Sequence, residues 1–224
     1  LKAYILRTKH PTSIKYSEIC AASCDDTSLR WEYVDWYHEG NPRNAWESIG
    51  VPIKNIMDRG NKKAQLATSG HVMIWKKIRD SGQSGIVLEH DALMRHPVNI
   101  EIPNKGIVAL GYKVKDPKEY NHKKAGAPVG VKLIEGHEGA HAYAITDNTA
   151  RLLLEEIEKY GIKYVIDITH FLYSRRGYTN IPLYIMYPTP AIAWVRDSTI
   201  WEDASISNYE VVKSFKDNYE RLER

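Results

Sequence analysis

Apolar residues in this chain cluster into short uninterrupted runs, and the polar stretches between them carry helix and turn signals. Residues 3–6 (AYIL) read as a buried strand. Thr12 or Ser13 then caps a helix reaching about Cys24, and residues 30–36 (RWEYVDW) return as a strand. This β-α-β opening favours a parallel sheet with crossover helices. Pro42, Gly50, Pro52 and Gly60 punctuate a loop-rich section with one short strand near residues 51–57. Leu66, Val72, Ile74, Trp75 and Ile78 fall broadly on one side of a helix over 62–79, which Gly82 and Gly85 end.

The second half repeats the alternation. A strand at 85–88 is followed by a buried run at 106–111 and strands at 129–134 and 140–145. Thr146 caps a helix that runs through Tyr160 and stops at Gly161. Extended segments follow at 164–168, 183–187 and 191–195, and residues 208–224 form a charged amphipathic helix. Without a repeat, a low-complexity segment or a clear linker, a single α/β domain over 1–224 is the simplest reading.

Composition alters this picture little. The net charge of +3 is too mild to assign nucleic-acid binding by itself. Tyr and Trp, at 15 and 6 against 2 Phe, suit partly exposed binding walls as well as cores. Cys20 and Cys24 lie four apart on one helix face, with no partner pair at metal spacing. They read as reduced thiols of a cytoplasmic protein. No apolar run approaches the ~20 residues of a membrane span, so neither a leader nor an anchor is expected.

The chemistry starts at residues 85–94, GIVLEHDALM, where a buried strand runs straight into Glu89-His90-Asp91. Desolvating an unpaired carboxylate is costly, so a metal ion, a basic side chain or open water should meet these groups. In open α/β sheets, ligands bind beyond the carboxyl ends of strands. An acid-x-acid triplet in an extended chain points both carboxylates to one side. There they can share one hard cation, which acts as Lewis acid and template for a leaving diphosphate.

The helix AQLATSGHVMIWKKI, this triplet and the later GHEGAHAYAITDNTARLLLE together resemble a glycosyltransferase family. That family includes lipopolysaccharide-biosynthesis enzymes and collagen galactosyltransferases. Its ordered pieces appear as Gly70-His71, Glu89-His90-Asp91, Gly139-Ala140-His141-Ala142-Tyr143, Ala150 with Leu152-Leu153, Asp167, and Pro188-x-Pro190 through Ser198-Thr199-Ile200. They cover residues 64–200, about three-fifths of the chain. Three features depart from the family pattern: His90 stands in place of an acid, Gly70 stands in place of Ser, and an Arg-rich stretch is reduced to Arg7.

The resemblance implies a GT-A-like (Rossmann-like) fold, a mixed, mainly parallel sheet flanked by helices. Residues 1–91 would form the nucleotide-sugar half and 92–207 the acceptor half. It implies Mn or Mg on Asp91, with Glu89 reaching the ribose or a metal-bound water and His170 as a further metal or phosphate contact. Arg7, Thr8 and Asp35 would hold the base and ribose of a nucleotide-diphosphate sugar, UDP-linked by expectation of the family, with His71 near the donor. Inverting transfer also needs a base for the acceptor hydroxyl, and Asp167 and Glu138 are the two candidates.

The acceptor is less constrained. Residues 112–124 carry five Lys, which attract a polyanion. With Arg175-Arg176 nearby, this permits a surface glycan or DNA bearing 5-hydroxymethylcytosine, whose base must be exposed or flipped. Two readings of other classes stay open, a non-catalytic nucleotide-sugar or polyanion-binding module and a metal-dependent phosphodiesterase. The second lacks an evident second acidic cluster for a two-metal site.

Overall fold

The computed structural model describes residues 1–50, 62–112, 130–134, 139–162, 165–166, 179–187 and 189–193. Strand β1 (Lys2–Thr8) leads through helix α1 (Pro11–Asp26) to β2 (Arg30–Trp36). Helices α2 (Pro42–Ile49) and α3 (Lys62–Ser81) then precede β3 (Gly85–Glu89). Short strands follow: β4 (Ala92–Met94), β5 (Ile107–Ala109), β6 (Gly111–Tyr112), β7 (Gly130–Ile134) and β8 (Ala142–Ile145). Helix α4 (Asp147–Tyr160), β9 (Leu183–Tyr187) and β10 (Ala191–Ala193) complete the described chain.

Seven of these strands form one sheet in the order β2-β1-β3-β8-β5-β9-β7, and β4-β10-β6 form a second, small one. In the large sheet β8 and β7 run against the other five strands, so it is mixed and mainly parallel. Helices cover both faces. Tyr4, Leu6 and Val87 pack with α2, α3 and α4, while Ala3, Ile5, Ile86 and Leu88 pack against Cys20, Ala21 and Cys24 of α1. Burial on both faces explains why these strands read as unbroken apolar runs.

The strand order places a switch at β1. The chain leaves β1 over the α1 face to reach β2, then returns over the α3 face to β3 on the other side. Connections that part in this way leave a crevice at the carboxyl ends of the strands.

Helix α3 sits low over that crevice because Gly70 carries no side chain. A Cβ there would lie 2.7 Å from Leu6 Cδ1 and 3.0 Å from Trp36 Cδ1. Glycine at position 70, where the resembled family has Ser, thus has a local steric reason. Gly70→Ala is expected to lose about 1–3 kcal/mol, read by chemical denaturation, because both neighbours are packed and must shift. An unchanged midpoint would show that Leu6 moves aside freely.

Several expectations are revised. The section 42–60, read as loop with one strand, contains α2, capped by the Asn41 side chain and ended by left-handed Gly50. Its residues 51–57 lie outside the described residues. Helix α1 starts at Pro11 with His10 at its N-cap, two or three residues before the expected cap. The run 106–111 divides between the two sheets as β5 and β6. Of the expected strand 164–168 only two residues are described, and Ile166 is helical. The terminal helix, 208–224, lies outside the described residues. Thr146 caps α4 as expected, accepting from the Thr149 N–H at 3.0 Å. Among the described residues, no helix is long and apolar enough to cross a membrane.

Candidate active site

The carboxyl ends of β1, β2 and β3 meet in one place. Thr8 pairs with Trp36 and Leu6 with Glu89, so β1 and β2 end level and β3 ends two residues short of them. A cleft of about 750 Å³ opens there, lined by Lys9, His10, Asp35, Trp36, Tyr37 and His38 among others. A narrower pocket sharing Trp36, Tyr37 and His38 reaches inward to Thr8, Lys63, Glu89 and His90. The wide cleft falls within the usual size of small-ligand sites, roughly 300–1,000 Å³. Its aromatic wall is held from behind, since Trp36 Nε1 donates to Ser69 Oγ at 2.8 Å and Tyr37 meets the Trp36 ring edge-on.

Arg7 and Asp35 form a two-pronged pair at the edge of this cleft. Nε donates to Oδ1 at 2.7 Å and Nη2 to Oδ2 at 3.1 Å, while the guanidinium lies 3.8 Å from the Tyr33 ring centroid. The hydrogen bond from Arg7 holds the Asp35 carboxyl below its ordinary range against a smaller opposing effect of burial. Thr8 accepts from the His10 N–H and donates its own N–H to Ser13 Oγ, which fixes the turn into α1.

Glu89 ends a buried polar chain. The Trp75 Nε1–H donates to Tyr143 Oη at 2.7 Å, Tyr143 Oη lies 3.0 Å from His71 Nδ1, and His71 Nε2 lies 3.0 Å from Glu89 Oε1. One tautomer satisfies every group: Tyr143 donates to Nδ1, and Nε2–H donates to the carboxylate. His71 and Trp75 are one helical turn apart on α3, and Tyr143 is brought opposite Val87 by the β3–β8 pairing. Burial alone would raise the Glu89 carboxyl. The hydrogen bond and field of His71, with His141 and His90, more than reverse this and hold it below its ordinary value.

Two residues thus occupy places other than the simplest picture of a donor site. His71 is fully buried, so it reaches the cleft only through Glu89. Residues 90 and 91 form a turn between strands of different sheets, so the extended geometry assumed for Glu89-His90-Asp91 does not hold. Glu89 faces α3. The charge of Asp91 bears on Cys20 of α1, whose thiol is pushed up first by its contact with Cys24, then by burial, and also by Cys24 and Asp91 charge. Among the described residues, no three His, Cys, Asp or Glu side chains gather to hold a metal ion. The other expected metal ligand, His170, lies outside the described residues. So do both base candidates, Asp167 and Glu138, and the basic stretches 113–124 and 175–176.

The sequence reading passed over His10, Tyr37, His38 and Lys63. Their signal was present, because His10 and His38 each stand two residues beyond a strand end. His38 is held below its ordinary 6.5, first by burial, then by His10 and Lys63, with Glu39 opposing and His90 adding.

These shifts have one sign on the acid side. Between the ordinary His38 value and its lower folded value, the unfolded chain binds a proton that the folded chain does not, so stability falls as pH falls through that window. Glu89 and Asp35, both lowered, add stability that is present above the ordinary carboxylate range and lost below it. Melting temperature is therefore expected to fall in two stages on acidification, and His38→Gln to remove part of the upper one. A single acid transition unchanged in the variant would contradict this.

No family model matches the chain, and no curated protein matches it in sequence. Among solved structures it is similar to a glycosyltransferase involved in glycosylation of the major capsid of PBCV-1, with 10% identity and a TM-score of 0.36. That match covers 69% of this chain and 64% of the other, so it spans less than two thirds of that protein. It is also similar to the galactosyltransferase LgtC, with 13% identity, 96% of each chain covered and a TM-score of 0.42. A third similar structure is mouse xyloside xylosyltransferase 1, with 9% identity, 77% of each chain covered and a TM-score of 0.41.

Proposed function

We propose that the protein is a glycosyltransferase that takes a nucleotide-diphosphate sugar in the cleft at the ends of β1, β2 and β3. The observation that carries this reading is the coincidence of the cleft with the switch in strand order, where the family resemblance independently implies a donor. Trp36 and Tyr37 offer flat apolar surface for a base, and Asp35, fixed by Arg7, keeps an acceptor oxygen for a ribose hydroxyl.

In the proposed reaction an acceptor hydroxyl oxygen attacks the anomeric carbon of the donor sugar. The bond from that carbon to the diphosphate oxygen breaks, and the nucleoside diphosphate leaves with the electron pair. The hydroxyl proton passes to a base, for which Asp167 and Glu138 remain the proposed groups. The resemblance also implies a divalent ion, for which Asp91, Glu89 and His170 remain the proposed ligands and which would supply charge for the leaving diphosphate. The acceptor is proposed to be anionic, either a surface glycan or hydroxymethylated DNA.

A panel of nucleotide sugars, assayed for nucleoside diphosphate release with lipopolysaccharide core or hydroxymethylated DNA present, tests the reading. Release from one donor that an acceptor accelerates is the expected result. If no nucleotide raises the melting temperature and no donor is turned over, the transferase reading fails.

A further inference from the structure

Three neighbouring parallel strands each pass into a histidine within two residues of their ends: His10 after β1, His38 after β2 and His90 after β3. The pairing of Thr8 with Trp36 sets the first two together, and their ring centroids lie 4.5 Å apart. Both line the wide cleft, and Nδ1 of His10 is buried with no hydrogen-bond partner among the described residues. The His38 side chain is only 15% exposed, with Nε2 3.9 Å from the far more exposed Glu39.

The fixed charges around this pair cancel. Lys9, beside His10, and Lys63, on α3, face it with positive charge. Glu39, beside His38, and Glu89, at the end of β3, face it with negative charge. Asp35 is matched by Arg7. With neutral imidazoles the described cleft therefore has no excess charge for a polyanion, and any excess must come from the histidines. A partly buried imidazole such as His38 resists charging alone but gains a proton more readily once an anion sits beside it.

The geometry points to the His10–His38 pair as a proton-coupled receptor for the diphosphate group of the donor, with a proton taken up by the pair supplying the positive charge. The inference rests on the donor reading for the identity of the anion, and on the cleft for everything else. Its support lies in the close, tilted ring pair, the Nδ1 of His10 without a hydrogen-bond partner among the described residues, and the balanced surroundings. The lowered proton affinity of His38, caused first by burial and then by His10 and Lys63, agrees with it. His90 faces the inner pocket and adds to the same field.

The test is calorimetric titration of the full chain with inorganic pyrophosphate in EDTA at pH 7, in two buffers of different ionisation enthalpy. Pyrophosphate's own protons contribute equally to every protein, so comparison with His10→Gln/His38→Gln isolates the histidines. Wild type is expected to bind and to take up about one more proton than the variant, which binds at least about tenfold more weakly. Melting curves confirm that the variant folds, and His38→Gln alone carries the comparison if it does not. Equal proton uptake in both proteins, or binding that requires manganese, would overturn the inference. Donor turnover is scored separately. Proton-coupled pyrophosphate binding without turnover of any nucleotide sugar removes the transferase reading and leaves the receptor. Turnover without proton-coupled binding removes the receptor alone.

Discussion

His71→Ala is expected to lower the stability of the fold by about 4 kcal/mol, read from urea denaturation at pH 7. Part of that loss is the space left by a ring with 0% exposure in a packed core. The rest comes from both ends of the broken chain. Tyr143 Oη loses its acceptor, and the Glu89 carboxylate loses the donor that keeps it charged against burial. Leaving such groups unsatisfied costs about 1–3 kcal/mol each, and more when one is charged. Glu89→Gln preserves an oxygen acceptor for Nε2–H and is expected to cost only about 1 kcal/mol, the value of a charge-assisted over a neutral bond. Equal losses for the two variants would mean that the carboxylate charge, rather than the buried ring and its bonds, dominates. A loss below about 1 kcal/mol for His71→Ala would show that the core collapses onto the gap.

The second large effect is expected at Gly111→Ala. A Cβ at this position in β6 would stand 2.0 Å from Nε2 and 2.5 Å from Cδ2 of His141. No real contact is that close, and His141, 4% exposed just before β8, has little room to withdraw. The ring is also rigid, so either it rotates within the core or the small sheet moves off the large one. Overpacking of this kind costs typically 1–3 kcal/mol and occasionally more, and about 3 kcal/mol is expected here. His141→Ala in the same chain should recover part of the loss, so a double-mutant cycle should show coupling well above about 0.5 kcal/mol. Additive losses would mean that the strain falls on the backbone.

How much of this was legible in the sequence depends on whether the signal was local. The β1-α1-β2 opening, α3 and the Thr146 cap were readable because each rests on short-range pattern: apolar runs, helical spacing, a capping hydroxyl. Helix α2 carried equally local signals, Asn41, Pro42 and Gly50, but punctuation on both sides made the stretch look like loop. The backbone geometry at the triplet was hidden for a different reason. Alternation predicts which way two carboxylates point only while the chain stays extended, and the turn at 90–91, which hands the chain from one sheet to the other, cannot be seen in residue types. The role of His71 was likewise invisible until β8 brought Tyr143 beside β3. The strand-end histidines could have been found by applying the strand-end rule to β1 and β2 as well as to β3.

The order of strands in the large sheet also bears on how the chain acquires its shape. β2, β1 and β3 come from one continuous stretch ending at Glu89, with β1 meeting β2 after a short interval and β3, at Lys2 and Gly85, after a long one. The other half is stitched across long intervals, with Ile107 meeting Leu183 and Met94 meeting Ala191. Closing such intervals is entropically costly and slows folding. During synthesis the residues that enclose the cleft emerge before the strands that complete the opposite side of the sheet. The nascent chain therefore presents the walls of its binding cleft while β9 and β10 are still unmade.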